Sequence, residues 1–367
     1  MRMRKCIEKA ILRMAEKMLP CTLFDRLLLE RRRRINKITG YYPQAVFLSK
    51  RKSPQKYCVV RFTIPTFALM AAGIQYIFCY YKLHDKGYIP VLDLECEYSY
   101  EQGRIGELGI WDSCFEQSIT AKDAIKQKYV LATGNMYDYS GDKRIAKWLN
   151  GDPQDHFLHT KKDNYKEYYA KAKKLTEPIW KVKDTIIAEL EKEVGDTINE
   201  QRVLGVFLRE DFSNDVIYRK KKDIKVYENH PLLPTVQEII NIIKNDLQQW
   251  QYDKIYVSAL YSKSIETMKK ELGDKVVYIQ RKNMLSSGDD RAMNFSDTSF
   301  EFYEKMNKTK EWNYENNISY VKDLVALSRC TYFLGGPCSG SAVALTLNGG
   351  QYEDVYILED KRKITRY

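Results

Sequence analysis

The chain has no C-x-x-C pair and only four histidines, His84, His156, His159 and His230, among its 367 residues. Its eight cysteines, at 6, 21, 58, 79, 96, 114, 330 and 338, are scattered singly. That spacing argues against a zinc site and a disulfide framework, and it suits a reducing compartment. No metal or cofactor is implied. Proline is sparse as well, at 10 residues, while 44% of the chain is hydrophobic and 13% aromatic, so a packed core is expected and a disordered chain is not. At a prior of roughly 100–200 residues per domain, the length predicts two domains.

A surplus of charge is missing from most of the chain. The formal net charge is +11, yet residues 1–38 alone hold twelve Lys/Arg against four Asp/Glu. The rest is close to neutral, which makes nucleic acid an unlikely partner for the body. In this N-terminal segment Ile7, Ile11, Met14 and Met18 share one helical side, opposite Lys5, Lys9, Arg13 and Lys17. After Pro20, Thr22 and Asp25 form a capping-box pattern ahead of Leu23, Phe24, Leu27, Leu28 and the run Arg31 to Arg34. An apolar face with a basic flank suits an anionic membrane surface, and it equally suits a helix pair docked on the protein's own body. Charges interrupt any secretory apolar region.

The run from Ile64 to Tyr81 is uncharged over eighteen residues, long enough to span a bilayer. Strand-like stretches at 57–62 and 87–93 flank it, so a buried crossover helix between parallel strands is the favoured reading. Residues 93–150 read as loops with short helices. Residues 161–193 read as charged helix broken at Pro178. Beyond residue 200, strands at 202–208, 254–258, 275–279, 331–334 and 355–358 alternate with helices, which predicts a second parallel sheet covered on both faces. The expected organisation is a basic helical extension at 1–38, an α/β domain at 39–200 and another at 201–367, the last two facing one another across a cleft.

In such sheets ligands bind beyond the carboxyl ends of the strands. Two post-strand segments stand out. Val203-Leu-Gly-Val-Phe-Leu-Arg-Glu-Asp211 ends an apolar strand in Arg209, Glu210 and Asp211. Phe333-Leu-Gly-Gly-Pro-Cys-Ser-Gly-Ser341 passes through a glycine-rich turn into a helix. Such a turn aims unpaired backbone N–H groups at an anion, with Ser339 and Ser341 as further donors.

Together with Lys254-Ile-Tyr-Val-Ser258, Asp323-Leu-Val-Ala-Leu-Ser328, Asn229-His230-Pro231 and Asn348, Tyr352, Glu353 and Tyr356, these segments resemble the donor-binding half of the O-fucosyltransferase-like superfamily. More weakly, residues 86–93 and 111–117 resemble the N-terminal domain of its bacterial members. The resemblance covers roughly residues 55–360 and implies the GT-B fold, two Rossmann-like domains facing across a cleft. It implies that Arg209 contacts the donor diphosphate, that Asp323 accepts hydrogen bonds from guanine, and that Ser339 lies near the phosphates, with Gly336, Gly340 and Ser341 shaping the turn. His230 is placed at the donor site, in a context suited to anchoring a loop. Phe207 and Glu210-Asp211 depart from the family pattern, and Leu260 and Tyr261 stand where many members carry an acidic pair.

The function so implied is an inverting, metal-independent transfer of fucose or a related sugar from a nucleotide sugar, GDP-linked by preference, to a cell-surface glycan or lipid-linked glycan. Asp211 or Glu210 is the candidate base, with Asp93 a rival. The expected location is cytoplasmic, at the inner face of the cell membrane through residues 1–38. The alternatives are a catalytically degenerate body serving as a membrane or nucleic-acid scaffold, and a different group transfer on the same fold.

Overall fold

A computed structural model describes residues 10–15, 17–20, 23, 24, 27, 28, 45–49, 51–64, 87–96, 110–135, 165–208, 235–259, 262–281, 310–336 and 339–358. The first half carries β1 (Ala45–Leu48), β2 (Lys56–Ile64), β3 (Ile89–Cys96), α1 (Ile110–Cys114), β4 (Phe115–Glu116), α2 (Ala121–Ala124) and β5 (Lys128–Asn135). Helix α3 (Tyr165–Trp180), β6 (Lys181–Val182), α4 (Asp184–Leu190), a π turn at Glu191–Gly195 and α5 (Asp196–Glu200) follow. The second half runs β7 (Val203–Phe207), α6 (Val236–Asn245), β8 (Lys254–Ser258), α7 (Ser262–Leu272), β9 (Val276–Val277), α8 (Lys310–Arg329), β10 (Tyr332–Gly335), α9 (Ser339–Asn348) and β11 (Asp354–Ile357).

The fold is α/β with two largely parallel sheets. In the first, the order is β1-β5-β2-β3, with β2 parallel to both β3 and β5 and β1 antiparallel at the edge. The parallel β2–β3 pair requires a crossover between them, as the strand patterns predicted; residues 65–86, which make it, lie outside the described residues. In the second sheet the order is β11-β10-β7-β8-β9 and every pairing is parallel. All five residues of β7 are buried, the signature of a strand covered on both faces. Alternation divides them: Val203 and Phe207 join one apolar core, while Leu204 and Val206 join another with Ile239, Ile240, Ile243 and Trp250 of the α6 region. The Thr235–Glu238 capping box starts α6, its hydroxyl and carboxylate each taking a backbone N–H of the other residue.

The core containing Val203 and Phe207 continues into the first half through Trp111, Phe115, Tyr169 and Trp180, and reaches Cys58, Leu92 and Val130 of the first sheet. Trp111 stacks on Phe115 at 4.3 Å. Gln117 clamps β3 beside it, accepting from the Leu92 N–H at 2.8 Å and donating to the Leu92 carbonyl at 3.0 Å. Helices α4 and α5, before the seam drawn at residue 200, pack through Ile186, Leu190 and Ile198 on this same core. Lys322 of α8, nearly buried, donates to Glu193 at 2.6 Å and Glu189 at 3.2 Å, while Arg329 pairs with Glu191.

Three expectations about elements change. β5 emerges from a stretch read as loop and β1 from one given no element, because short Tyr-Val-Leu-Ala and Ala-Val-Phe-Leu runs become strands once β2 supplies a partner for β5 and β5 one for β1. Pro178 does not break α3, which ends two residues later at Trp180; a proline in the last turn removes one hydrogen bond from a helix that is already finishing. Asp93 is buried within β3, opposite Arg61 in register, and the strand runs on to Cys96, so it does not stand at a strand end as expected. The helix expected near 298–308 lies outside the described residues.

Candidate functional site

Counting strands of the second sheet in chain order, the chain moves outward from β7 to β8 and β9, then returns to β10 and β11 on the other side. The reversal falls between β7 and β10, whose ends pair Phe207 with Gly335. This is the switch point at which open parallel sheets leave a crevice beyond their carboxyl ends. The two strands that lead into the post-strand segments singled out in the sequence end side by side there. Arg209 follows Phe207 by two residues; Arg209, Glu210, Asp211 and His230 all lie outside the described residues.

The other wall is the turn from β10 into α9. A Cβ on Gly340 would lie 2.4 Å from the Phe207 ring and 2.7 Å from the Tyr320 hydroxyl. One on Gly335 would lie 2.8 Å from both the Phe333 ring and the Ser341 hydroxyl. A side chain at Gly340 would push α9 off the end of β7, and one at Gly335 would push it off β10. Ser341 is fully buried and its hydroxyl donates to the Gly336 carbonyl at 2.7 Å. This bond ties the two described ends of the turn together. Ser341 is not an outward donor, since its proton closes the turn. Helix α9 starts at Ser339, at this end of the sheet; a helix N-terminus carries backbone N–H groups without intrahelical partners, and its dipole favours negative charge.

Beneath the crevice sits a buried polar cluster. Asp323 of α8 is 1% exposed. Its Oδ1 accepts from the Tyr256 hydroxyl at 2.5 Å; its Oδ2 accepts from Ser258 at 3.1 Å and from Arg281 Nε at 2.7 Å, and the Arg281 Nη2 donates to the same oxygen. Arg281 also lies over the Tyr320 ring at 5.6 Å, and Tyr320 packs toward Phe207 at 6.3 Å. Burial opposes the Arg281 charge, but the Asp323 carboxylate outweighs it and leaves the guanidinium more basic than usual. Burial, followed by the Asp323 charge, pushes the Tyr256 phenol well above its ordinary range. Asp323, offered by the resemblance as a guanine acceptor, is here engaged inside the protein.

No family model matches the chain, and no curated protein matches it. Among solved structures, the NodZ α1,6-fucosyltransferase soaked with GDP-fucose aligns with a TM-score of 0.41 at 12% identity, covering 80% of this chain and 93% of that one. POFUT1 in complex with GDP aligns at 0.42 and 11%, covering 83% and 99%. An Arabidopsis thaliana FUT1 variant in complex with GDP aligns at 0.40 and 10%, covering 86% and 72%.

Other residues of the motif pattern hold the scaffold. Asn348 Oδ1 accepts from the Gln351 and Tyr352 N–H groups and its amide donates to the Ser328 carbonyl at 2.9 Å. Tyr352 donates to the Leu327 carbonyl at 2.8 Å, and Glu353 receives Arg202 and Tyr332. A cavity of about 510 Å³ opens at the opposite edge of this sheet, near Lys173, Ser328, Arg329, Thr331 and Asn348. Ser328, Arg329 and Asn348 are already bonded within the protein, and the cavity is on the wrong side of the strands for the switch-point crevice. Tyr256 enters the sequence reading only as part of the Lys254–Ser258 strand motif, and Arg281 and Tyr320 do not enter it. Arg281 had a signal, since it follows a strand just as Arg209 does.

Proposed function

We propose that the chain is a GT-B glycosyltransferase that takes a sugar from a nucleoside diphosphate, GDP by preference, and passes it to a hydroxyl of a glycan. The observation that carries this reading is the β7–β10 switch point, where a glycine-built helix start faces the strand end that leads into Arg209. The motif resemblance to the O-fucosyltransferase-like superfamily supports the donor class. Support for guanine comes from that resemblance, not from Asp323, whose oxygens are occupied internally.

In this reading the acceptor oxygen attacks the anomeric carbon as the bond to the β-phosphate oxygen breaks. The acceptor proton passes to the carboxylate of Asp211 or Glu210. Charge released onto the diphosphate is met by Arg209 and by the N–H groups opening α9. The resemblance implies inversion at the anomeric carbon without a metal. A lipid-linked cell-surface glycan is the proposed acceptor, which would place the enzyme at the cytoplasmic face of the membrane.

The test is a thermal-shift titration of wild type and Arg209→Ala with GDP, UDP, CMP and their sugar conjugates. A rise in melting temperature with GDP compounds, lost in the variant, is expected, because a ligand that binds only the folded state stabilises it by mass action. No shift with any nucleotide would overturn the reading.

A further inference from the structure

Every exposed large hydrophobic side chain among the described residues falls within one stretch of seventeen residues: Ile11, Met14, Met18, Leu23 and Leu27, from 41% exposed at Leu23 to 76% at Met18. Residues 10–15, 17 and 18 are helical, so Ile11, Met14 and Met18 recur at helical spacing on one face. The chain then turns at Pro20, whose carbonyl accepts from the Leu23 and Phe24 N–H groups at 2.9 and 3.0 Å. Phe24 is buried, and Leu28 packs on the small core of Tyr57, Val59 and Val91 at the first sheet. The segment is thus anchored on the body by one set of apolar residues while a second set faces outward. Of the two sequence readings for this segment, docking accounts for Phe24 and Leu28 only.

Among the described residues of this stretch the charged side chains are Arg13 and Lys17, both cationic. Arg13 and Lys17 are exposed and form no ion pair among the described residues; by helical angle Lys17 borders the Ile11–Met14–Met18 face and Arg13 lies toward the opposite side. They belong to the 38-residue segment with twelve Lys/Arg and four Asp/Glu. A clustered apolar set of this kind on a soluble body marks an interaction surface. A second copy of the chain would bring like charges together, and a nucleic acid would leave the apolar side chains in water. An anionic bilayer satisfies both: side chains enter the acyl boundary while lysine and arginine reach back to the headgroups.

We propose that Ile11, Met14, Met18, Leu23 and Leu27, with Arg13 and Lys17, form a docking surface for an anionic lipid bilayer. The surface is independent of the transferase reading and stands or falls without it. The test is flotation of the full-length chain with phosphatidylcholine vesicles, with and without phosphatidylglycerol. Wild type should bind the anionic vesicles roughly tenfold or more above the neutral ones, and lose most of that binding at about 0.5 M salt. Met14→Glu/Met18→Glu should lower anionic-vesicle binding by about tenfold or more, and Arg13→Gln/Lys17→Gln should lower it severalfold, both with unchanged melting temperature because all four side chains are exposed. Absence of wild-type binding, equal binding to neutral vesicles, binding unaffected by both variants, or dimerisation through this face in sedimentation without lipid would each overturn the proposal.

Discussion

Arg281 and Asp323 form an ion pair in which the side chains are 6% and 2% exposed, joining the coil after β9 to α8 directly below the switch-point crevice. Such a pair offers little net stabilisation over an apolar replacement, because both charges leave water, but removing one partner strands the other. Arg281→Ala and Asp323→Ala should each cost about 3–5 kcal/mol in urea unfolding. Arg281→Met/Asp323→Leu should be milder than the sum of the two. A loss of GDP binding in Asp323→Asn at unaltered stability would show instead that the carboxylate turns to the ligand.

Gly340→Ala sets helix propensity against packing. Alanine favours a helix by about 1 kcal/mol over glycine. The added methyl, however, meets an aromatic ring at 2.4 Å, and overpacking costs about 1–3 kcal/mol. Net destabilisation is expected, with partial recovery when Phe207→Leu is added. Chemical denaturation of the two single variants and the double variant reads both signs.

Trp111 carries the apolar continuity between the sheets. It is fully buried, stacked on Phe115 and 5.9 Å from Trp180. Trp111→Ala should cost about 3–5 kcal/mol, and Trp111→Phe less. Because its core also contains Val203 and Phe207, the melting transition of the variant should fall as one, without a separate early phase for the first sheet.

Stability should decline in alkali. Burial raises the Cys114 thiol from its ordinary 9.0 to about 11, against smaller opposing effects of Ser113 and Lys183. The folded state therefore prefers the neutral thiol. The stability linked to this group is full below pH 9 and is lost as pH rises toward 11, amounting to about 3 kcal/mol. Tyr168, raised by burial to about 12, extends the decline above pH 10. Urea unfolding from pH 8 to 11 should show the slope, and Cys114→Ala should reduce it.

Much of this architecture is legible in local pattern. β2, β3, β7, β8, β10 and β11 were expected at close to their observed positions because each combines apolar residues with a turn at its end. β1 and β5 were not, since four or five apolar residues between polar loops become a strand only when a neighbour completes the ladder. At the site, the glycine turn and the strand leading to Arg209 were recognised from post-strand chemistry. The sequence offers Ser341 as an outward donor, but its burial, which local sequence does not display, turns the hydroxyl onto the Gly336 carbonyl.

The alternation of strands and helices, the clustering of cations in the first 38 residues and the glycine at which α9 begins against β7 are all written in local stretches of chain. These follow from periodicity, composition and the need for a missing Cβ. The order β11-β10-β7-β8-β9, which creates the crevice, and the engagement of Asp323 by Arg281, 42 residues away, arise only on folding. Strand order and buried charge pairing depend on which distant segments meet, and that choice is made by the packing of whole faces rather than by any local stretch of chain.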